Sequence, residues 1–171
     1  MVIDSFALRP DVQQILVWLE QVADPEIPIL SVVDLGVVRA ASWHDDVCVI
    51  TLTPTYSGCP AMVEIRQAIE QCLKQNGVDK VRVETQLAPA WTTDWLTVKG
   101  RSALKHYGIA PPVQQAIDIT GISRQAIEPV VPCPQCASLQ TRLVSSFGSA
   151  PCKALYRCLK CREPFDYFKS H

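Results

Sequence analysis

The 171-residue sequence has no apolar run approaching the roughly 18 residues of a membrane span. Residues 1–10 lack the basic start, apolar centre and small-residue cleavage site of a secretory signal. Both absences lead to the expectation of a cytoplasmic protein with no membrane contact. There is no internal repeat and no low-complexity tract, which leaves an ordinary globular chain rather than an array. Nor is there an overall charge of one sign: the formal net charge is −1, so the total gives no reason to expect nucleic acid or an anionic surface as partner. What the sequence does hold is a 48% apolar fraction, enough for a real core, and eight cysteines. In a reducing compartment cysteines are metal ligands or reactive thiols more often than disulfides.

The charge is unevenly divided. Residues 1–132 hold 10 Lys and Arg against 15 Asp and Glu, whereas residues 133–171 hold 6 against 2, a basic tail on an acidic body. The six cations are also what an ordinary protein-docking face carries, and a nucleic-acid module ranks low.

Along the body, Val12, Ile15, Leu16, Leu19 and Val22 fall at helical spacing between Pro10 and Ala23. Pro25 and Pro28 then forbid a regular helix and hold the segment extended, presenting Asp24 and Glu26 near the surface, where a plain connector with solvated carboxylates is the simplest reading. A possible helical turn covers residues 31–34. The runs 37–43 and 47–53, joined by His44-Asp45-Asp46, predict a β-hairpin, with Cys48 packed in the sheet. A helix is expected over 60–76, with Met62, Ile65, Ile69, Cys72 and Leu73 on one stripe and Gly77 beyond its end. A third strand follows, carrying Val81, Val83 and Leu87. The strand–helix–strand order makes the second and third strands parallel. Trp91 and Trp95 lie in an aromatic loop before a last helix over 96–107, ended by Gly108.

The stretch from Thr53 to Ala61 is the strand-to-helix turn. It places Cys59 at or next to the helix start, since Pro60 suits the first helical position. Free N–H groups there favour a thiolate. Gly58 lets a ligand approach the backbone, and Thr55, Tyr56 and Ser57 add three hydroxyls. The turn lies at the carboxyl end of a parallel strand, where open α/β sheets place their sites. The alternative is a small apolar residue packed under the turn.

In the tail, Cys133/Cys136 and Cys158/Cys161 are two Cys-x-x-Cys knuckles with 21 residues between them, the spacing of a four-cysteine metal site. Short strands are expected over 139–147, 154–157 and 165–168, making a zinc ribbon. Zinc suits a closed thiolate site, although rubredoxin-like iron is chemically possible. Cys152 is a fifth cysteine nearby, either spare or functional.

Asp24-Pro25-Glu26-Ile27-Pro28, Asp34-Leu35-Gly36 and the run from Thr53 to Pro60 resemble the iron-sulfur cluster assembly domain. Together with the segments 89–95, 107–112, 152–158 and 163–169, they resemble the D subunits of bacterial phenylacetyl-CoA ring-epoxidase systems over nearly the whole chain. The resemblance implies an α+β fold with a small mixed three-stranded sheet packed with helices, plus a small C-terminal antiparallel zinc ribbon. The expected division is an assembly-like domain over 1–108, a proline-containing linker over 109–132 and the ribbon over 133–171. It implies an accessory maturation role in aerobic phenylacetate catabolism rather than catalysis. The expected partners are the oxygenase and reductase subunits. Structural zinc is expected on Cys133, Cys136, Cys158 and Cys161, and transient iron or an iron-sulfur cluster at Cys59. Asp24, Glu26, Thr55, Ser57 and Gly58 are its candidate neighbours. One cysteine cannot complete a cluster site, so a homodimer, a client ligand or a small thiol would supply the rest. The competing readings are a non-catalytic adaptor joining oxygenase and reductase, and an enzyme with Cys59 as nucleophile, for which neither His44 nor His106 has any sequence relation to the site.

Overall fold

A computed structural model describes residues 9–113 and 129–169. The middle of the expected linker, residues 114–128, lies outside them. The architecture is α+β, with two separate three-stranded sheets. In the first, β1 (Val38–His44) and β2 (Val47–Leu52) form the expected antiparallel hairpin, and β3 (Val81–Thr85) runs parallel to β2, in the order β1-β2-β3. Asp45 turns the hairpin at φ 53. The central strand β2 is the most apolar, and Cys48, Ile50 and Leu52 are fully buried on one face.

Three α-helices accompany this sheet: α1 (Val12–Leu19), α2 (Met62–Gln75) and α3 (Val98–Tyr107). α2 lies against β3 and α1, so that Ile65, Ile69 and Leu73 meet Ile15 and Leu19 in one core. Each helix is shorter than its apolar pattern. α1 stops at Leu19 because Gln21 and Val22 donate to the carbonyls of Trp18 and Leu19, three residues back, which tightens the last turn. Pro60 and Ala61 form a turn before α2 begins. Asp11 caps α1 by accepting from the Gln14 N–H at 2.7 Å. Leu87, expected on the third strand, lies beyond its end and is exposed.

Asp34 and Gly36 have local structural work. The Asp34 carboxylate accepts from Thr97 Oγ1 and Ser31 Oγ, both at 2.9 Å, and its carbonyl accepts from Thr97 N–H at 2.9 Å, which pins the start of α3. Gly36 has φ +73, and a Cβ there would stand 2.2 Å from the Trp95 carbonyl oxygen. Glycine is required by both conformation and space.

The second sheet is wholly antiparallel: β4 (Thr141–Ser145), β5 (Lys153–Cys158) and β6 (Pro164–Phe168), in the order β4-β5-β6. Tyr156 stacks on Phe165 at 5.9 Å and meets Tyr167 edge-on at 5.5 Å, forming a small aromatic core. The two sheets do not stand apart. Phe168, fully buried, packs edge-on against Trp91 at 5.9 Å, and Ala150, Cys152 and Phe168 belong to the same apolar cluster as α1, β2 and α2. The chain leaving α3 is tied to β6 as well: Ala110 N–H donates to the Asp166 carbonyl at 2.8 Å, and Phe168 N–H donates to the Ala110 carbonyl at 2.9 Å.

Candidate functional site

Among the described residues the fold draws one group of cysteines together, in the ribbon, and leaves Cys59 in the first unit. In the ribbon, each Cys-x-x-Cys knuckle closes with a residue in the left-handed region directly after its second cysteine, Ala137 at φ 57 and Arg162 at φ 72. This turn lets both sulfurs of a knuckle point the same way. The Cys161 N–H lies 3.5 Å from the Cys158 sulfur, as a donor to a charged ligand should. The four Sγ atoms of Cys133, Cys136, Cys158 and Cys161 all lie within 4.8 Å of one another. Cys133 and Cys161 are 3.7 Å apart, and Cys136 and Cys158 are 3.6 Å apart. A disulfide would require about 2.05 Å. Four sulfurs placed tetrahedrally at the usual zinc–sulfur distance of about 2.3 Å stand roughly 3.8 Å from each other. The donors present therefore fit structural zinc, which when bound closes the ribbon that its small core leaves underbuilt.

Cys59 itself lies on the loop between the carboxyl end of β2 and α2. Cys59 is partly buried. The N–H groups of Ala61 and Met62 act on its sulfur, as a helix start should, yet they do not win. Burial pushes the thiol up from its ordinary value, and the carboxylates of Glu26 and Asp24 push the same way. The expectation of an easily ionised Cys59 is thus overturned, because the helix start sits in a low-dielectric, acidic surround.

Asp24 is not a solvated connector residue. It is 5% exposed, and its Oδ1 accepts from the N–H groups of Glu26 and Ile27, each at 2.8 Å, closing the proline loop. Burial raises its carboxyl despite those two bonds and the nearby Lys153 charge. Glu26 is half-buried, and burial followed by the Asp24 charge raises its carboxyl. Thr55 and Ser57 face elsewhere: with Thr53, Pro54, Tyr56, Leu87, Ala90 and Trp91 they line a cavity of about 430 Å³ whose wall does not include Cys59. The buried Thr53 hydroxyl has no hydrogen-bond partner among the described residues. Gly58 has no positive φ, and a Cβ there would make only ordinary contact with the Tyr56 ring, at 3.7 Å. Glycine is not demanded at that position. His44 and His106 are both exposed, on the end of β1 and on α3.

A family model described as "Iron-sulfur cluster assembly protein" matches residues 12–85, and one described as "PaaD zinc beta ribbon domain" matches residues 120–169. A protein of Escherichia coli (strain K12), described provisionally as the D subunit of 1,2-phenylacetyl-CoA epoxidase, is 51% identical over 161 residues, which cover 94% of this chain and 93% of that protein. The chain belongs to this epoxidase D-subunit family. Among solved structures, a domain of unknown function (DUF59) from Bacillus anthracis is 28% identical with a TM-score of 0.51, over 54% of this chain and 89% of its own. A conserved hypothetical protein from Thermotoga maritima is 29% identical with a TM-score of 0.47, over 54% of this chain and 92% of its own. The Bacillus anthracis domain supports the fold of the first sheet and its helices.

The ribbon of this family member brings two residues to the Cys59 region that the sequence left unplaced. Cys152 is 5% exposed and its thiol, raised to about 12 by burial, also responds to the charges of Glu26, Asp24 and Cys59. Lys153, likewise 5% exposed, sends its ammonium to the Glu26 carbonyl oxygen at 3.4 Å and to the Asp166 carboxylate at 3.7 Å.

No helix among the described residues is long and apolar enough to cross a membrane.

Proposed function

We propose that this protein is an accessory maturation factor of the phenylacetyl-CoA ring-epoxidase system, not itself catalytic. It would assist assembly or insertion of iron or iron-sulfur centres in the oxygenase or its reductase. The observation that carries this reading is the position of Cys59: a part-exposed sulfur on the loop that follows the carboxyl end of β2, the parallel partner of β3, where the Ala61 and Met62 N–H groups favour its ionised form and the Glu26 and Asp24 carboxylates oppose it. A sulfur held protonated in the free protein and ionised by an arriving metal is suited to cargo rather than to permanent ligation. The relative's description as part of an epoxidase and the assembly-protein match over residues 12–85 support the same assignment.

The test is to co-produce oxygenase and reductase with the wild-type chain or with Cys59→Ser, and to measure iron content and activity of each partner. One partner emerging iron-poor and inactive, with the variant itself folded, is the expected outcome. Fully loaded, active partners would sink the proposal.

A second reading has its own observation. Val130, Leu139, Val144, Phe147 and Leu159 on and around the ribbon are all about half exposed or more, beside the tail's cations. Such a face suits an adaptor that holds oxygenase and reductase together. Under it, Cys59→Ser leaves partner activity intact, whereas Phe147→Asp weakens co-purification of the partners.

A further inference from the structure

We infer that the cavity at the carboxyl ends of β2 and β3 binds an uncharged small molecule that pairs an aromatic ring with a carbonyl or amide group, and that the Thr53 hydroxyl anchors its polar end. The inference goes beyond the maturation reading and is independent of it, since Cys59 is not among the lining residues.

The place follows from the strand order. β2 and β3 pair in parallel, with Leu52 beside Thr85, so both strands end on the same side of the sheet. The chain leaving β2 and the chain leaving β3 supply the two walls, residues 53–57 and residues 87–91. Open parallel sheets hold their ligands in crevices of this kind, outside the carboxyl ends of the strands. Both walls are anchored: Thr53 N–H donates to the Val37 carbonyl and Gln86 N–H to the Leu52 carbonyl, each at 2.8 Å. Trp91 is fixed as well, its Nε1 donating to the Leu35 carbonyl at 3.1 Å while Phe168 meets its ring edge-on. At about 430 Å³ the cavity falls within the roughly 300–1,000 Å³ of small-molecule sites.

One group in the wall is left without its bond. Thr53 is 1% exposed, and among the described residues its hydroxyl is the sole buried side-chain nitrogen or oxygen with no hydrogen-bond partner. Other buried polar side chains are provided for: Asp24 accepts from two N–H groups, and Ser31 donates to Asp34. An unpaired buried hydroxyl costs stability, so a single exception standing in a cavity wall calls for an explanation. A ligand atom that supplies the missing bond is that explanation.

The lining sets the chemistry of the ligand. It contains no Lys, Arg, His, Asp or Glu, and no cysteine or methionine. A phosphate, a carboxylate or a metal ion would lose its water there without gaining a counter-charge or a sulfur ligand. What the walls offer is four hydroxyl groups, on Thr53, Thr55, Tyr56 and Ser57, each able to donate or accept, together with the apolar surface of Leu87 and Trp91. A neutral carbonyl or amide answers the hydroxyls, and a flat ring answers the aromatic wall.

The full zinc-loaded chain would be titrated with benzamide and followed by amide-detected NMR, with benzoate as the charged counterpart and acetamide as the one without a ring. Saturable benzamide shifts centred on residues 53–57 and 87–91 are expected, with benzoate and acetamide each weaker by about tenfold or more. Thr53→Val keeps the shape and removes the hydroxyl. It should weaken benzamide about fivefold or more, yet melt no lower than wild type without ligand, because no bond is lost. Thr53→Ser should restore the affinity. Absence of a saturable benzamide shift, equal binding of benzoate, or unchanged affinity in Thr53→Val would each overturn the inference. So would a clear fall in Tm of ligand-free Thr53→Val, since the hydroxyl would then have its partner in the free protein. Failure of the maturation reading shows separately, as fully iron-loaded partners beside Cys59→Ser.

Discussion

Truncating Phe168 to alanine tests whether the ribbon and the assembly-like unit share one core. Phe168 is fully buried against Trp91, at a ring separation of 5.9 Å and an interplanar angle of 65°. Removing a buried phenylalanine costs about 3–5 kcal/mol, of which an edge-on aromatic pair contributes roughly 0.5–1.5. For a chain of this size that corresponds to a fall in Tm of about 6–20 °C, at some 2–4 °C per kcal/mol. The assay is unfolding followed by two probes at once, far-ultraviolet circular dichroism for the helices of the first unit and a metallochromic dye for zinc release from the second. The prediction is that both transitions move down together in Phe168→Ala, as one cooperative unit requires. If zinc release moves alone and the helical transition stays where it was, the packing of Phe168 does not couple the two units, and they do not share a core.

Other perturbations probe single features. Gly36→Ala places a Cβ 2.2 Å from the Trp95 carbonyl oxygen at φ +73, and a loss of roughly 1–3 kcal/mol or more is expected in chemical denaturation. Asp24 has a folded carboxyl raised above its ordinary 3.8 by burial, so its favourable contribution is complete below that pH and is lost as pH rises through the folded value. The stability of Asp24→Asn, whose amide oxygen can still accept from Glu26 and Ile27, should therefore gain on wild type as pH climbs from about 4. A flat difference across that range would contradict it. Cys136→Ser removes one of the four converging sulfurs, and should abolish bound zinc by elemental analysis and expose the β4 and β5 amides to hydrogen exchange.

Local signals in the sequence carried far. The two Cys-x-x-Cys pairs were legible because each knuckle is a short-range geometry, so their spacing alone implied the four-sulfur cluster. The hairpin across Asp45 and the parallel β2–β3 pair were legible from alternation and from the helix between them. The state of Cys59 was not. Its ionisation depends on how deeply the fold buries it and on the Glu26 and Asp24 carboxylates, which a helix-start rule does not include. Asp24 misled for the opposite reason: two prolines implied an exposed connector, yet the loop folds inward around that carboxylate. Cys152 stayed unplaced because its neighbours Cys59, Glu26 and Asp24 lie far away along the chain, and nothing periodic links them.

The backbone exchange between Ala110 and β6 bears on protein engineering. Cutting the chain after Val113 would strip both hydrogen bonds from Ala110 and uncover the Trp91 ring that Phe168 covers. A shortened version would have a sticky apolar patch at its new end, prone to self-association. Hybrids that swap ribbons between homologues should join only when Trp91, Ala150, Cys152 and Phe168 come from one parent, so recombination is restricted at a seam that a modular map of the sequence would treat as free.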